Sequence, residues 1–310
     1  MQRISFQDGL IYSFRPELAP VVTVRSGETV DFVCQDSCGG QIQSERDTLA
    51  RLDINQVNGA TGPARVMGSR PGDTLRVRIR DIRVASEGFQ SILPTLGVLG
   101  DDVPEARTKM IPIRDGAAVF SRRIRLPIRP HVGTIGVAPR EKEWTTFYPG
   151  DHGGNLDTKE IERGNAVYLP VFQPGAQLAM GDIHALMADG EVCVTGIEVA
   201  GTVRVRIEVL RGITLRRPVV ETPEAWMALA SAPTLDEAAR LATRDGEELL
   251  ARGADVSWED AYMLASIACD LRISQDVDPW RTAKLVIPKA LMRRLPPRDS
   301  SEGSRPAKPY

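Results

Sequence analysis

From residue 20 to about 215, apolar and polar positions alternate with a period of two. In "TLRVRIRDIRV", Leu75, Val77 and Ile79 alternate with Arg76, Arg78 and Arg80; in "TVRVRIEVLRG", Val203, Val205, Ile207 and Val209 oppose Arg204, Arg206 and Glu208. Each pattern predicts a strand with one buried and one solvated face. The turn clusters "RSGET", "RPGDT", "QPGAQ" and "ERGNA" separate the apolar runs, and many short strands so punctuated predict a β-sandwich or barrel. After residue 222 the period lengthens. "TLDEAARLATRDGEELLARG" opens with Thr234 and Glu237 at capping-box spacing, followed by Leu and Ala at intervals of three and four. "SWEDAYMLASIACDLRIS" starts the same way at Ser257, with Ala261, Leu264, Ile267, Ala268 and Leu271 along one stripe. Two C-terminal helices are predicted there, on a chain that is otherwise mainly β (α+β).

These shifts divide the chain into an N-terminal β-rich domain (1–130), a β-rich catalytic core (131–222) and a helical or α+β part (223–294). A Pro- and Ser-rich stretch, 295–310, is predicted to be a disordered tail. Lys and Arg (39) nearly balance Asp and Glu (41), which argues against a nucleic-acid or membrane-surface partner. "MQRISFQDGLIYSF" has no signal-peptide core, and no later run could span a bilayer. Cysteines 34, 38, 193 and 269 form no CxxC pair; free thiols in a reducing cytoplasm are expected.

All three histidines fall between residues 131 and 184. His131 opens "HVGTIGVAP", His152 lies in "YPGDHGGNLD", and His184 lies in "GDIHALMADGEVCVTGIE" beside Asp182, Asp189, Glu191 and Glu198. Buried carboxylates are costly unless paired, hydrogen-bonded or bound to metal. An extended 181–185 segment puts Asp182 and His184 on one face. In "EVCVT", Glu191, Cys193 and Thr195 would share a face, with Val192 and Val194 toward the core; Glu198 needs a bulge at Gly196 to join them. His with Asp and Glu is a donor set for zinc with an open position or, with more oxygens, for calcium. In "DHGGNLD", Gly153 and Gly154 allow close backbone approach, and Asn155 can donate to an oxyanion. Asp36, before the Gly-Gly turn of "CQDSCGGQI", reads by itself as a turn cap. Cys193 beside Glu191 reads as a core thiol rather than a nucleophile.

The segments "HVGTIGVAP", "HGGNLDTKEIERGNAVYLPVFQPGA" and "GDIHALMADGEVCVTGIE", in this order, resemble the signature segments of the acetamidase/formamidase family. The resemblance extends to "VRSGETVDFVCQDSCGGQI", "GPARVMGSRPGDTLRVRI" and "SWEDAYMLASIACDLRISQDVDP". It implies a cytoplasmic hydrolase of short-chain amides, a jelly-roll-like β-sandwich with a β-barrel-like and α+β portion, a homodimer or larger assembly, and a divalent metal, zinc first and calcium as the alternative. The positions matched are Asp36, His131, Asn155, Asp157, Asp182, His184, Asp189, Glu191 and Glu198. Met187-Ala188 stands where the family commonly has Gln-Gly, which leaves substrate identity open to a larger amide or a cyclic imide.

With roles argued from chemistry, the expected metal ligands are His131 and His184 with Asp36 or Asp182, and Glu198. Glu191 is the expected general base and acid, and His152 and Asp189 join it in the catalytic group. Asn155 with the backbone of Gly153 and Gly154 would steady the oxyanion, and Met187 would touch substrate. The competing expectation is a jelly-roll module that binds a small molecule around a purely structural metal.

Overall fold

The structure, a computed structural model, describes residues 2–297. Of the expected tail, residues 298–310 lie outside the described residues, while Leu295 is buried in a cluster beside the helices.

The fold is mainly β, with two α-helices after residue 222. A nine-stranded sheet runs, in spatial order, through Gln2–Ser5, Thr29–Cys34, Gly201–Leu210, Thr74–Val84, Ala166–Pro170, Val219–Glu221, Ala225–Ala232, Arg281–Pro288 and Asp270–Gln275. It takes strands from all three expected segments of the chain. A second sheet orders Gly153–Asn155, His131–Gly136, Leu178–His184, Ala60–Val66 and Leu10–Ile11. The largest hydrophobic cluster joins the two, with Val77, Ile79 and Val203 from the first and Val132, Ile135 and Ile183 from the second.

The period-two reading holds at residue level. Leu75, Val77 and Ile79 are buried and Arg80 is exposed. The register then shifts opposite Arg204 and Val205, so the next buried residue is Ile82 rather than Asp81. Across the sheet, Asp31 accepts two hydrogen bonds from the Arg204 guanidinium, at 2.7 and 3.0 Å. Opposite charges on neighbouring strands hold the register from the solvated face.

Helix α1 (Leu235–Ala254) begins where the capping box places it: the Thr234 hydroxyl accepts from Glu237 N at 3.3 Å. Helix α2 (Trp258–Ala268) begins with Ser257 accepting from Asp260 N at 3.1 Å. Helix α1 covers the outer face of Ala225–Ala232 and Arg281–Pro288, so these strands are buried on both faces. In α2, Ala261 and Ala265 are buried, whereas Ile267 stands exposed. Among the described residues no helix is long and apolar enough to cross a membrane.

Candidate active site

The Leu178–His184 strand pairs antiparallel with His131–Gly136, setting His184 directly opposite His131. Both strands are buried throughout, so their polar side chains must find partners inside. His131 Nδ1 lies 3.1 Å from the Arg129 carbonyl oxygen, and His131 Nε2 lies 3.2 Å from His184 Nδ1. A carbonyl only accepts, so His131 Nδ1 carries the hydrogen and its Nε2 presents a lone pair. His184 Nδ1 must then donate to it. That leaves His184 Nε2 as the outward atom, 3.0 Å from Glu198 Oε1, 3.3 Å from Asp182 Oδ1 and 3.7 Å from Glu191 Oε1.

Two groups of donors meet at this imidazole: Asp157, His184 and Glu191, and Asp182, His184 and Glu198. Asp278 completes the acidic cluster, accepting from Asn155 Nδ2 at 3.0 Å. Three of the five carboxylates sit on left-handed backbone, with φ of 40° at Asp157, 51° at Asp182 and 46° at Glu191. Such conformations cost roughly 1–3 kcal/mol and persist where surrounding structure enforces them. Here the enforcement is visible. The Asp276 N–H donates to the Gly190 carbonyl, and the Gly190 N–H donates to that of Ser274. Glu198 exchanges backbone hydrogen bonds with Phe89. Gly133, facing Asp182 across the strand pair, leaves room for two acids: a Cβ there would collide with Asp157 Oδ1 and stand 2.6 Å from Asp182 Oδ2.

Burial pushes the Asp157, Glu191, Glu198 and Asp278 carboxyls upward, and repulsion from neighbouring acids, Asp182 included, adds to it. Burial opposes charge on His184, but Glu198 and Asp182 outweigh it and hold that imidazole well above its ordinary value. Asp182 is held low because His184 overcomes its burial. Burial and the His184 charge press His131 down to about 3, which matches its role as a neutral acceptor. Asp157 Oδ1 and Glu198 Oε2 are buried without a hydrogen-bond partner. Crowded, buried carboxyl oxygens left unpaired are what a divalent cation satisfies, so the donor set fits a metal ion.

A cavity of about 170 Å³ opens over the cluster, lined by Asn155, Asp157, Asp182, His184, Glu191, Glu198 and Asp278 on its polar side. The other expected site residues lie off it. Asp36 accepts from the backbone N–H of Cys38 and Gly40, at 3.0 and 3.1 Å, as a turn cap. His131 stands behind His184, its Nε2 already engaged. His152 packs against Phe14 and Trp144, and burial lowers it to about 3. Asp189 pairs with Lys284 at 2.7 Å and Lys159 at 2.9 Å. Gly153 and Gly154 pack on the backbone of 135–136 and Tyr148, and the Gly153 N–H donates to the Gly150 carbonyl. Met187 is buried beside Gly196, next to His184. The segment 191–195 is a turn rather than a strand, and Val192 is 61% exposed instead of facing the core. Positive φ at Glu191 and Val194 breaks the alternation, and this is what turns Glu191 inward.

Three participants carried no expectation. Asp278 lies in the turn after Asp270–Gln275, its N–H and that of Val277 donating to Gln275 Oε1. Asn58 donates to the Thr146 carbonyl and to Asn155 Oδ1, both at 2.9 Å. Lys284 is wholly buried on Glu160 and Asp189, at 2.6 and 2.7 Å. A lone lysine inside the apolar run "RTAKLVIP" was its only sequence signal.

The profile of the Acetamidase/Formamidase family matches residues 5–147 and 142–294. The chain belongs to the acetamidase/formamidase family. Within it, the structure superposes on an acetamidase from Bacillus halodurans with a TM-score of 0.90 and 42% identity, over 93% of this chain and 97% of the other. A predicted acetamidase/formamidase from Thermoanaerobacter tengcongensis gives 0.91 and 43%, over 94% and 96%. A formamidase of Methylophilus methylotrophus is 28% identical, over 66% of this chain and 65% of that relative. The chain thus spans about two-thirds of the length of that relative. Every residue lining the polar side of the cavity lies within the segments that match the acetamidase/formamidase profile.

Proposed function

We propose that this protein hydrolyses linear primary amides, R–CO–NH₂ + H₂O → R–COO⁻ + NH₄⁺, at the acidic cluster around His184. The supporting observation is the convergence of four buried carboxylates on a single imidazole whose outward nitrogen is set by a second one, in a chain of an amidase family. Asp182, His184 and Glu198, with Asp157 on the other side, would hold a divalent ion, zinc for its imidazole affinity and calcium as the oxygen-rich alternative. Such an ion supplies Lewis acidity, making water acidic near neutral pH and polarising a carbonyl.

The chain's own groups account for proton handling. Glu191 lies on the cavity wall, 3.7 Å from His184 Nε2, and its raised affinity for protons suits a carboxylate that takes one from water. It would then deliver that proton to the departing nitrogen. Asn155 is fixed on three sides, with Thr134 and Asn58 donating to its Oδ1 and its own Nδ2 donating to Asp278. One Nδ2 hydrogen is left to steady the developing oxyanion, a contribution of about 3 kcal/mol per donor. Glu191→Gln tests the assignment. It should retain metal content while turnover falls roughly 10²–10⁴-fold; near-normal ammonia release from the amides the parent accepts would refute it.

A further inference from the structure

Apart from the acidic cluster and a few small polar groups, the cavity is lined by hydrocarbon. Leu49, Leu52 and Val57 come from two short 3-10 turns and the residue after them, Leu93 and Leu96 from the loop following Glu87–Ile92, and Phe147 from the segment before His152. Three separate stretches of chain thus aim hydrocarbon at one opening. At its rim, Leu96 is 40% exposed and Ile54 63%, so water meets apolar surface beside a site that handles charge. Such placement marks a surface awaiting a ligand with hydrocarbon of its own. Formamide has no carbon beyond the carbonyl to touch it, and acetamide has one. The cavity's volume of about 170 Å³ corresponds to about six waters, more than either amide fills.

We infer that the preferred substrates are primary amides with an apolar acyl chain of several carbons, seated on Leu49, Leu52, Val57, Leu93, Leu96 and Phe147, rather than formamide or acetamide. This rests on the amidase reading and adds the acyl chain to it. The carboxyamide end goes to the carboxylates and the tail to the hydrocarbon wall, and hydrolysis releases the matching fatty carboxylate and ammonium. Each methylene taken from water should raise kcat/KM about fourfold until the chain outgrows the wall.

Two series on the metal-containing protein test the inference. The first measures kcat/KM for formamide, acetamide, butyramide and hexanamide. The second measures calorimetric binding of the corresponding carboxylates, from formate to hexanoate, where affinity should rise with length and the heat-capacity change should grow more negative. Leu96→Ser and Leu52→Ser should flatten both slopes. Carboxylate affinity that climbs with length while no amide is turned over would support the acyl wall and refute the amidase reading. Turnover without a gain from chain length in either series overturns the inference, as does the absence of both turnover and binding.

Discussion

Gly133→Ala is the sharpest test of how the fold builds this site. The backbone at Gly133 lies outside the left-handed region, so alanine is conformationally acceptable and its effect comes from space alone. The added methyl would sit 2.6 Å from Asp182 Oδ2 and 2.9 Å from the Asp182 carbonyl oxygen, and would overlap Asp157 Oδ1, whereas ordinary contact begins at 3.4 Å. Asp182 Oδ2 must therefore retreat by about 0.8 Å from its position. The carboxyl can retreat only into the cavity, away from its place in the cluster, and the backbone carbonyl has little room to yield because the whole Leu178–His184 strand is buried. Overpacking of this kind costs about 1–3 kcal/mol, and a misplacement near 1 Å at reacting groups costs about 10²-fold in rate. Urea unfolding, metal content and ammonia release should show a folded protein with modest destabilisation, reduced metal occupancy and a turnover loss near that factor. Gly68→Ala is the control. No atom lies within 4 Å of its Cβ and its φ is +75°, so it should lose about 1 kcal/mol of stability through backbone strain and keep full turnover. Parental metal content and turnover in Gly133→Ala would refute the steric account.

Other consequences are independent of the chemistry. Lys284→Met leaves Glu160 buried without its cation, and should cost about 3 kcal/mol or more by urea unfolding. Thr234→Ala removes the acceptor for Glu237 N at the start of α1, a loss of about 1 kcal/mol in the same assay. Glu247 is buried on α1, its Oε1 has no partner, and burial followed by repulsion from Glu248 raises its carboxyl to about 7. The folded state therefore binds more protons than the unfolded one between its ordinary value and about 7. Stability should fall as pH rises through that window, by about 3 kcal/mol at most, and level off above it; Glu247→Gln should remove the decline.

Sequence pattern revealed the fold more readily than the site, for identifiable reasons. Strand alternation is a local property, so Leu75, Val77 and Ile79 could be placed inward from the sequence, as could the capping residues Thr234 and Ser257. Parity arguments failed at 191–195, because they assume extended backbone and Glu191 and Val194 are left-handed. The Met187-Val192 stretch is shaped by pairing with Ser274–Asp276, about 85 residues later, a contact no local pattern encodes. Asp278 was hidden for the same reason. It lies in a segment whose resemblance to the family was visible, but only the fold brings it onto Asn155. His152 shows a different limit of local pattern. Its neighbourhood of glycines and acids suggested chemistry, yet its ring packs among aromatics.

The two histidines that do meet have unequal tasks, and the inequality follows from one backbone atom. The Arg129 N–H donates to the Ala185 carbonyl at 3.0 Å, which fixes the edge of the strand pair. The Arg129 carbonyl is then available to His131 Nδ1, and this contact fixes the tautomer of His131 and, through it, the proton on His184 Nδ1. Only His184 Nε2 remains to face the carboxylates. A proton there is held by Glu198 and Asp182, and a metal ion at the same nitrogen would have to displace it. In the proposed site the second imidazole would act as a positioning residue, orienting the first with an Nε2 already engaged by it. A substitution at His131 is expected to disturb the site through the direction in which His184 points, even though His131 itself never touches the cavity.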